Sequence, residues 1–124
     1  MCNINELQAY AAYLDDERVL NNSSSGGMFT VFSRYIISQG GVVYGAAMNS
    51  DCKSAAFRRV EDACGLDIFS GSIYFQVPIG SAFSEIEQDL INNRLVLFVG
   101  TPCQVNAIKA YLKNDYSNLF CIDI

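Results

Sequence analysis

Five consecutive apolar residues, Leu95 to Val99 (LVLFV), constrain the fold more than any other segment. A strand with no polar position cannot leave one face in water, so this run is typical of a strand buried on both faces in a parallel sheet. Gly100-Thr101-Pro102 follows and starts a helix whose apolar side is Val105, Ile108, Tyr111 and Leu112. Leu119 to Ile124 (LFCIDI) is the next predicted strand. Together these segments predict a βαβ unit with a right-handed crossover.

The rest of the chain alternates helices and strands in the same way. The predicted helical segments are Asp15–Leu20, a helix with the stripe Met28, Val31, Phe32, Tyr35 and Ile36, a short helix over Glu61–Phe69, and a helix with the stripe Phe83, Ile86, Leu90 and Ile91. The further predicted strands are Gln8–Tyr13, Val42–Met48, Ala55–Val60 and Ile73–Val77. The fold class is therefore α/β, with a mainly parallel or mixed sheet flanked by helices, in a single domain over residues 1–124.

The last predicted strand ends without a polar tail. Since natural termini are usually solvated, we expect the chain to be a piece of a longer one. An unpaired edge strand also invites strand addition, so we expect this strand to favour a homodimer.

Composition excludes several classes of function. Eight basic and 13 acidic residues give a net charge of −5, which argues against nucleic-acid binding. The chain has no histidine, so it cannot form Ser-His-Asp or Cys-His catalytic groups or an HExxH zinc site by itself. No membrane span is predicted, because the longest uncharged stretch, Ile68–Ser84, is broken by Ser, Gly, Gln and Pro. The five cysteines form no CxxC pair and no secretory signal precedes them, which favours reduced thiols and a cytoplasmic location.

The most specific candidate site is the run Gly100-Thr101-Pro102-Cys103-Gln104 after the buried strand. Open α/β sheets bind ligands at the carboxyl ends of their strands. Thr101 suits the N-cap and Pro102 the first helical position, which places Cys103 in the first turn, where the helix dipole favours its thiolate. Gly100 lets a ligand approach the backbone closely. The alternative is that Cys103 only packs under the sheet.

The second candidate site is a hydroxyl-rich turn before a helix, formed by Ser23, Ser24, Ser25, Gly26 and Gly27. Hydroxyls, a flexible backbone and a helix N-terminus together suit a phosphate or pyrophosphate. The turn is neither a Walker A motif, since no Lys follows, nor a GxGxxG motif. A simple helix cap explains the same residues.

Tyr44 is a third candidate, because glycines surround it at Gly40-Gly41 and Gly45. A tyrosine beside glycines suits stacking on a flat cofactor ring. The alternative is a half-buried tyrosine of the strand.

The run from Tyr10 to Ile124 resembles the coenzyme F-420 hydrogenase/dehydrogenase beta-subunit family. The segments that carry the resemblance are YAAYLDDERVLNNSSSGGMF, GGVVYGAAM, FSGSIYFQVPIGSAFSEIEQDL, LVLFVGTPCQVNAIKAYL and NLFCIDI. The resemblance implies that the chain is the N-terminal part of an oxidoreductase subunit. Such a subunit would use FAD and a [4Fe-4S] cluster. It would exchange electrons with an iron–sulfur or ferredoxin-type partner or with other oxidoreductase subunits. It further implies that Ser23–Gly27 lies against the flavin and that Cys103 is a cluster ligand or redox-active thiol. Thr101 and Gln104 would hold the loop beside it.

The chain departs from that family pattern at several positions. Only Cys2 precedes the matched region, whereas many relatives carry a ferredoxin-like cysteine cluster there, and Ile73 replaces the Lys of a GSKY segment. A single thiol cannot hold a cluster, so other ligands would have to come from Cys121, Cys2 or residues beyond this chain. Two alternatives therefore stay open: a non-catalytic interaction or assembly module without cofactor, and a thiol-dependent enzyme in which Cys103 is the nucleophile without a metal.

Overall fold

The computed structural model describes residues 8–23 and 26–124. Its sheet has four strands, β1 (Val42–Met48), β2 (Ala55–Val60), β3 (Val96–Gly100) and β4 (Leu119–Asp123), in the order β2-β1-β3-β4. The hairpin β1-β2 is antiparallel, while β1-β3 and β3-β4 are parallel. The predicted mixed α/β sheet is confirmed.

Helices cover both faces of this sheet. They are α1 (Glu17–Asn21), α2 (Met28–Ser38), a 3₁₀ helix (Cys64–Phe69), α3 (Ala82–Ile91) and α4 (Pro102–Leu112). One core lies between the sheet and the pair α3 and α4, and the other lies between the sheet and α2 with the 3₁₀ helix. Within the described residues, no helix is both long and apolar enough to cross a membrane.

Strand β3 is buried along its whole length, as its apolar run predicts. Val96 and Phe98 point to the side of α3 and α4, and Leu97 and Val99 point to the side of α2. Burying side chains of this size contributes about 1.5–3 kcal/mol each relative to exposure. The two hydrophobic cores therefore meet at β3.

A polar network ties the β1-β2 hairpin to α3. The Tyr44 hydroxyl donates to Asp89 Oδ2 at 2.6 Å, and Arg59 forms a bidentate pair with the same carboxylate at 2.8 and 2.9 Å. Burial raises the pKa of Asp89, but the hydrogen bonds from Arg59 and Tyr44 outweigh it and the net pKa is lowered. Burial, followed by the hydrogen bond to Asp89, raises the pKa of Tyr44. Asp89 is therefore an ionised carboxylate that holds three elements together.

Helix α2 forms where predicted but packs a different face. Its buried residues are Ser33 and Ile36, with Phe29 and Ile37 packed beside them, whereas Phe32 is 46% and Tyr35 62% exposed. Apolar residues surround most of this helix, so two stripes of helical period compete in the sequence. Packing against the sheet therefore decides which of the two stripes is buried, and the buried one contains the small residue Ser33.

Two predicted strands are wrong. Residues 8–14 have no regular secondary structure, and Tyr10 and Tyr13 are 81% and 73% exposed. Residues 73–77 form part of a loop rather than a strand. Strand-like side chains form a strand only where a neighbouring strand offers backbone partners, and neither segment joins the four-stranded sheet.

The substitution Asp89→Asn removes the charge that pairs with Arg59. We expect it to lower the free energy of unfolding at pH 7 by about 2–3 kcal/mol, less than for a fully buried pair because the Arg59 side chain is 30% exposed. The folded-state pKa of Asp89 lies below its unfolded value of about 3.9, so its stabilisation is present above that pH and is lost as the pH falls through the folded-state pKa. Urea unfolding at pH 7 and at steps down to pH 3 measures both effects.

The matched control is Asp115→Asn, which removes a carboxylate from an exposed position. The control is expected to leave the free energy of unfolding at pH 7 unchanged. Equal stability of Asp89→Asn and the wild type at pH 7 would contradict the structural role of the network.

Candidate functional site

A large cleft opens at the carboxyl end of β3. Its volume is about 1390 Å³, above the range of about 300–1,000 Å³ that is common for small-molecule sites. Its walls include residues from α1 and the first half of α2, within 16–23 and 27–34, the loop 70–79, and the β3-α4 turn. The cleft therefore has room for a ligand of cofactor size.

Most of the predicted site residues that the structure describes line this one cleft: Ser23, Gly27, Gly100, Thr101, Cys103 and Gln104. Ser24 and Ser25 lie outside the described residues. Gly26 is not among the lining residues, because it is used in packing: its carbonyl accepts the N–H of Leu14 at 2.9 Å, and a Cβ would lie 2.8 Å from the Ala12 carbonyl oxygen.

Tyr44 is the predicted residue that the structure does not bring to the cleft. Its ring is 1% exposed in the core on the side of α3, and its hydroxyl is bonded to Asp89. A ring in that position has no free face for a cofactor. The prediction that Tyr44 stacks on a flat ring is therefore corrected to a structural role.

The turn before α2 offers backbone donors rather than the hydroxyl of Ser23. That hydroxyl donates to the Val19 carbonyl at 2.7 Å, and the Ser23 N–H donates to the Leu20 carbonyl at 3.1 Å. Gly27 is the N-cap of α2 with φ +75°, a left-handed conformation that disfavours other residues, and it has no side chain to cap the first turn. The Thr30 N–H already donates to the Gly27 carbonyl at 3.1 Å, so the N–H groups of Met28 and Phe29, which lack intrahelical partners, are the donors that this helix start can offer to the cleft.

The β3-α4 turn confirms the predicted helix start. Thr101 is the N-cap in an extended conformation, Pro102 is the first helical residue, and Gln104 Oε1 accepts the Thr101 N–H at 2.9 Å. Cys103 is exposed, with Sγ 3.0 Å from Thr101 Oγ1. The thiol thus faces the cleft from the first turn of α4.

Gln104 also joins two walls of the cleft. While Oε1 accepts from Thr101, Nε2 donates to the Val77 carbonyl at 3.3 Å. Gly100 makes room for this amide, because a Cβ there would lie 2.9 Å from Gln104 Oε1. The loop 70–79 is thereby held against the β3-α4 turn that carries Cys103, here called the Cys103 turn.

The loop 70–79 is the wall of the cleft that the sequence prediction missed. It contributes Tyr74, which is 92% exposed, and Phe75, which is 49% exposed. Phe29 and Phe69 add an edge-to-face pair, with ring centroids 5.5 Å apart. Gly71, Pro78 and Gly80 punctuate the segment and are the signal that favours a loop over a strand.

The described residues do not complete a metal site. Among them, no group of three or more Cys, Asp or Glu side chains is placed to hold a metal ion. Cys121 lies on β4 outside the cleft lining, and burial raises the pKa of its thiol, against a smaller lowering by Lys109. Cys103 therefore supplies a single sulfur, whereas an iron–sulfur cluster is held by four ligands.

Comparison with known proteins identifies a fold neighbour. No protein-family model matches the chain, and no curated protein sequence matches it at a significant level. A solved chain of the F420-reducing [NiFe] hydrogenase complex from Methanosarcina barkeri has a similar fold, with a TM-score of 0.67 at 19% sequence identity. The similarity covers 90% of this chain and 40% of that chain, so this chain spans less than half of its neighbour's length.

The substitution Gln104→Leu removes both hydrogen bonds of the amide. We expect the free energy of unfolding to fall by about 1–2 kcal/mol, because a helix cap and a loop bond each contribute about 1 kcal/mol. Release of the Val77 carbonyl should also speed chymotrypsin cleavage at Tyr74 and Phe75. Urea unfolding and limited proteolysis followed by mass spectrometry measure the two effects.

Gln88→Leu is the control, since it makes the same change at an exposed position of α3. Cleavage at the same rate in the Gln104→Leu and Gln88→Leu variants would show that Gln104 does not hold the loop.

Proposed function

We propose that this chain forms the flavin-binding domain of an oxidoreductase subunit that acts like the coenzyme F-420 hydrogenase/dehydrogenase beta subunits. The observation that carries the proposal is the cleft, in which the start of α2, the aromatic loop 70–79 and the Cys103 turn surround one space. The fold neighbour from an F420-reducing [NiFe] hydrogenase complex supports the same assignment.

The lining suits FAD by its chemistry. Backbone N–H groups at the start of α2 are donors for phosphate oxygens, while Tyr74 and Phe75 offer apolar faces to a flat ring. FAD, when bound, supplies the exchange between hydride transfer and single-electron transfer. The start of α2 would bind the phosphates of FAD and the loop 70–79 would bind its flavin ring. Gln104 holds this loop in place, and the loop shields the ring from water.

A [4Fe-4S] cluster does not fit the described residues, since they offer no group of ligands that could hold it. We propose instead that an iron–sulfur or ferredoxin-type partner, or another subunit of an oxidoreductase complex, takes up the electrons. In this arrangement Cys103 is a thiol beside the flavin ring, at the wall that Gln104 joins to the loop.

Titration of the purified chain with FAD and with FMN tests the proposal. We expect quenching of flavin fluorescence on binding. The double substitution Tyr74→Ala and Phe75→Ala should weaken the affinity about tenfold, because each aromatic contact contributes about 0.5–1.5 kcal/mol beyond its buried area.

Tyr35→Ala is the control, because Tyr35 is 62% exposed on α2 and does not line the cleft. Circular dichroism confirms that each variant is folded. A folded wild-type chain that binds neither flavin overturns the proposal and favours the module without cofactor. Rapid alkylation at Cys103 in that colourless chain, lost in Cys103→Ser, would identify the thiol-dependent enzyme instead.

A further inference from the structure

The cleft contains two arginines whose charges are not matched by carboxylates. Its lining includes the charged residues Asp16, Arg18, Arg34 and Asp67. The ion pairs among the described residues are formed by Arg59 and Arg94, so neither Arg18 nor Arg34 takes part in one. Both guanidinium groups are therefore available to a ligand.

The acidic neighbours do not neutralise these arginines. Asp16 is the N-cap of α1, where its Oδ1 accepts the backbone N–H groups of Arg18 at 3.0 Å and Val19 at 3.4 Å. Asp67 lies on the 3₁₀ helix and makes no salt bridge within the described residues. The Asp16 carboxylate is thus engaged with the backbone of α1.

The two arginines come from different elements and line the same cleft. Arg18 lies on α1 with Val19 and Asn22, which also line the cleft. Arg34 lies on α2 one turn after Thr30, another lining residue, and positions four apart share one face of a helix. Gly27, the N-cap of α2, lies between them along the chain and lines the same cleft.

We propose that Arg18 and Arg34 are phosphate-recognition residues, which make the cleft selective for a phosphorylated ligand over the same ligand without phosphate. Guanidinium groups bind phosphate oxygens through paired, charge-assisted hydrogen bonds. The start of α2, whose N-cap Gly27 has no capping side chain, adds backbone donors to the same lining. The inference rests on the proposed function for the flavin ring, but the phosphate part is testable without it.

Isothermal titration calorimetry with four probes distinguishes phosphate recognition from binding of the flavin ring. FMN and riboflavin share the ring and differ by one phosphate, while ADP and pyrophosphate carry phosphate without a flavin ring. We expect the wild type to bind FMN at least about tenfold more tightly than riboflavin, and Arg18→Gln and Arg34→Gln each to weaken FMN binding about tenfold. Riboflavin binding should stay unchanged in both variants.

Arg58→Gln is the matched control. It removes the same charge from an exposed residue that is bonded to Asn49 at 2.6 Å and does not line the cleft. Weakening of FMN binding by Arg58→Gln as large as by Arg34→Gln would overturn the inference, because the effect would then be one of net charge.

The remaining outcomes distinguish the two proposals. Equal affinity for FMN and riboflavin in the wild type overturns phosphate recognition and leaves the flavin domain standing. Binding of ADP or pyrophosphate that is lost in the Arg18→Gln and Arg34→Gln double variant, without binding of FMN, riboflavin or FAD, supports phosphate recognition and overturns the flavin function. A folded chain that binds neither FAD nor any of the four probes overturns both.

Discussion

Burial of β3 on both faces is the constraint on which the rest of the structure depends. Its five residues are all buried, so helices must cover the sheet on both sides. The strand then has to end between two helical layers, and its carboxyl end leads directly into α4. The cleft opens at this point, because the chain leaves the sheet there while the 70–79 loop and the start of α2 form the opposite walls.

The molecule keeps its main ionic network apart from this cleft. Tyr44, Asp89 and Arg59 join β1, β2 and α3, and none of the three lines the cleft. The cleft walls are held instead by single polar contacts, of which the Gln104 amide is the clearest. Stability and the proposed ligand binding therefore depend on different side chains, so changes in the cleft need not disturb the hydrophobic cores.

The sequence predicted correctly those elements that can be recognised from their own residues alone. The apolar run of β3 and the Thr101, Pro102 and Gln104 helix start needed no distant partner to be recognised, and both form as expected. The errors concern partners instead. Residues 73–77 have the composition of a strand, but no neighbouring strand pairs with them. Ser23 has a hydroxyl suited to binding an anion, but this hydroxyl donates its hydrogen bond to the Val19 carbonyl. The family resemblance pointed to a few residues that line the cleft, among them Thr101, Cys103 and Gln104, whereas Tyr44, predicted from its neighbouring glycines, does not line it.

The sequence by itself determined the α/β class, the buried central strand and the position of Cys103 in the first turn of a helix, because periodicity, apolar runs and capping residues act over a few positions. Only the tertiary structure decided which face of α2 is buried and that the loop 70–79 forms a wall of the cleft. It also decided that Arg18 and Arg34 line the same cleft as Cys103. These features depend on contacts between residues far apart along the chain, and such contacts are chosen by how the layers pack and not by any local pattern.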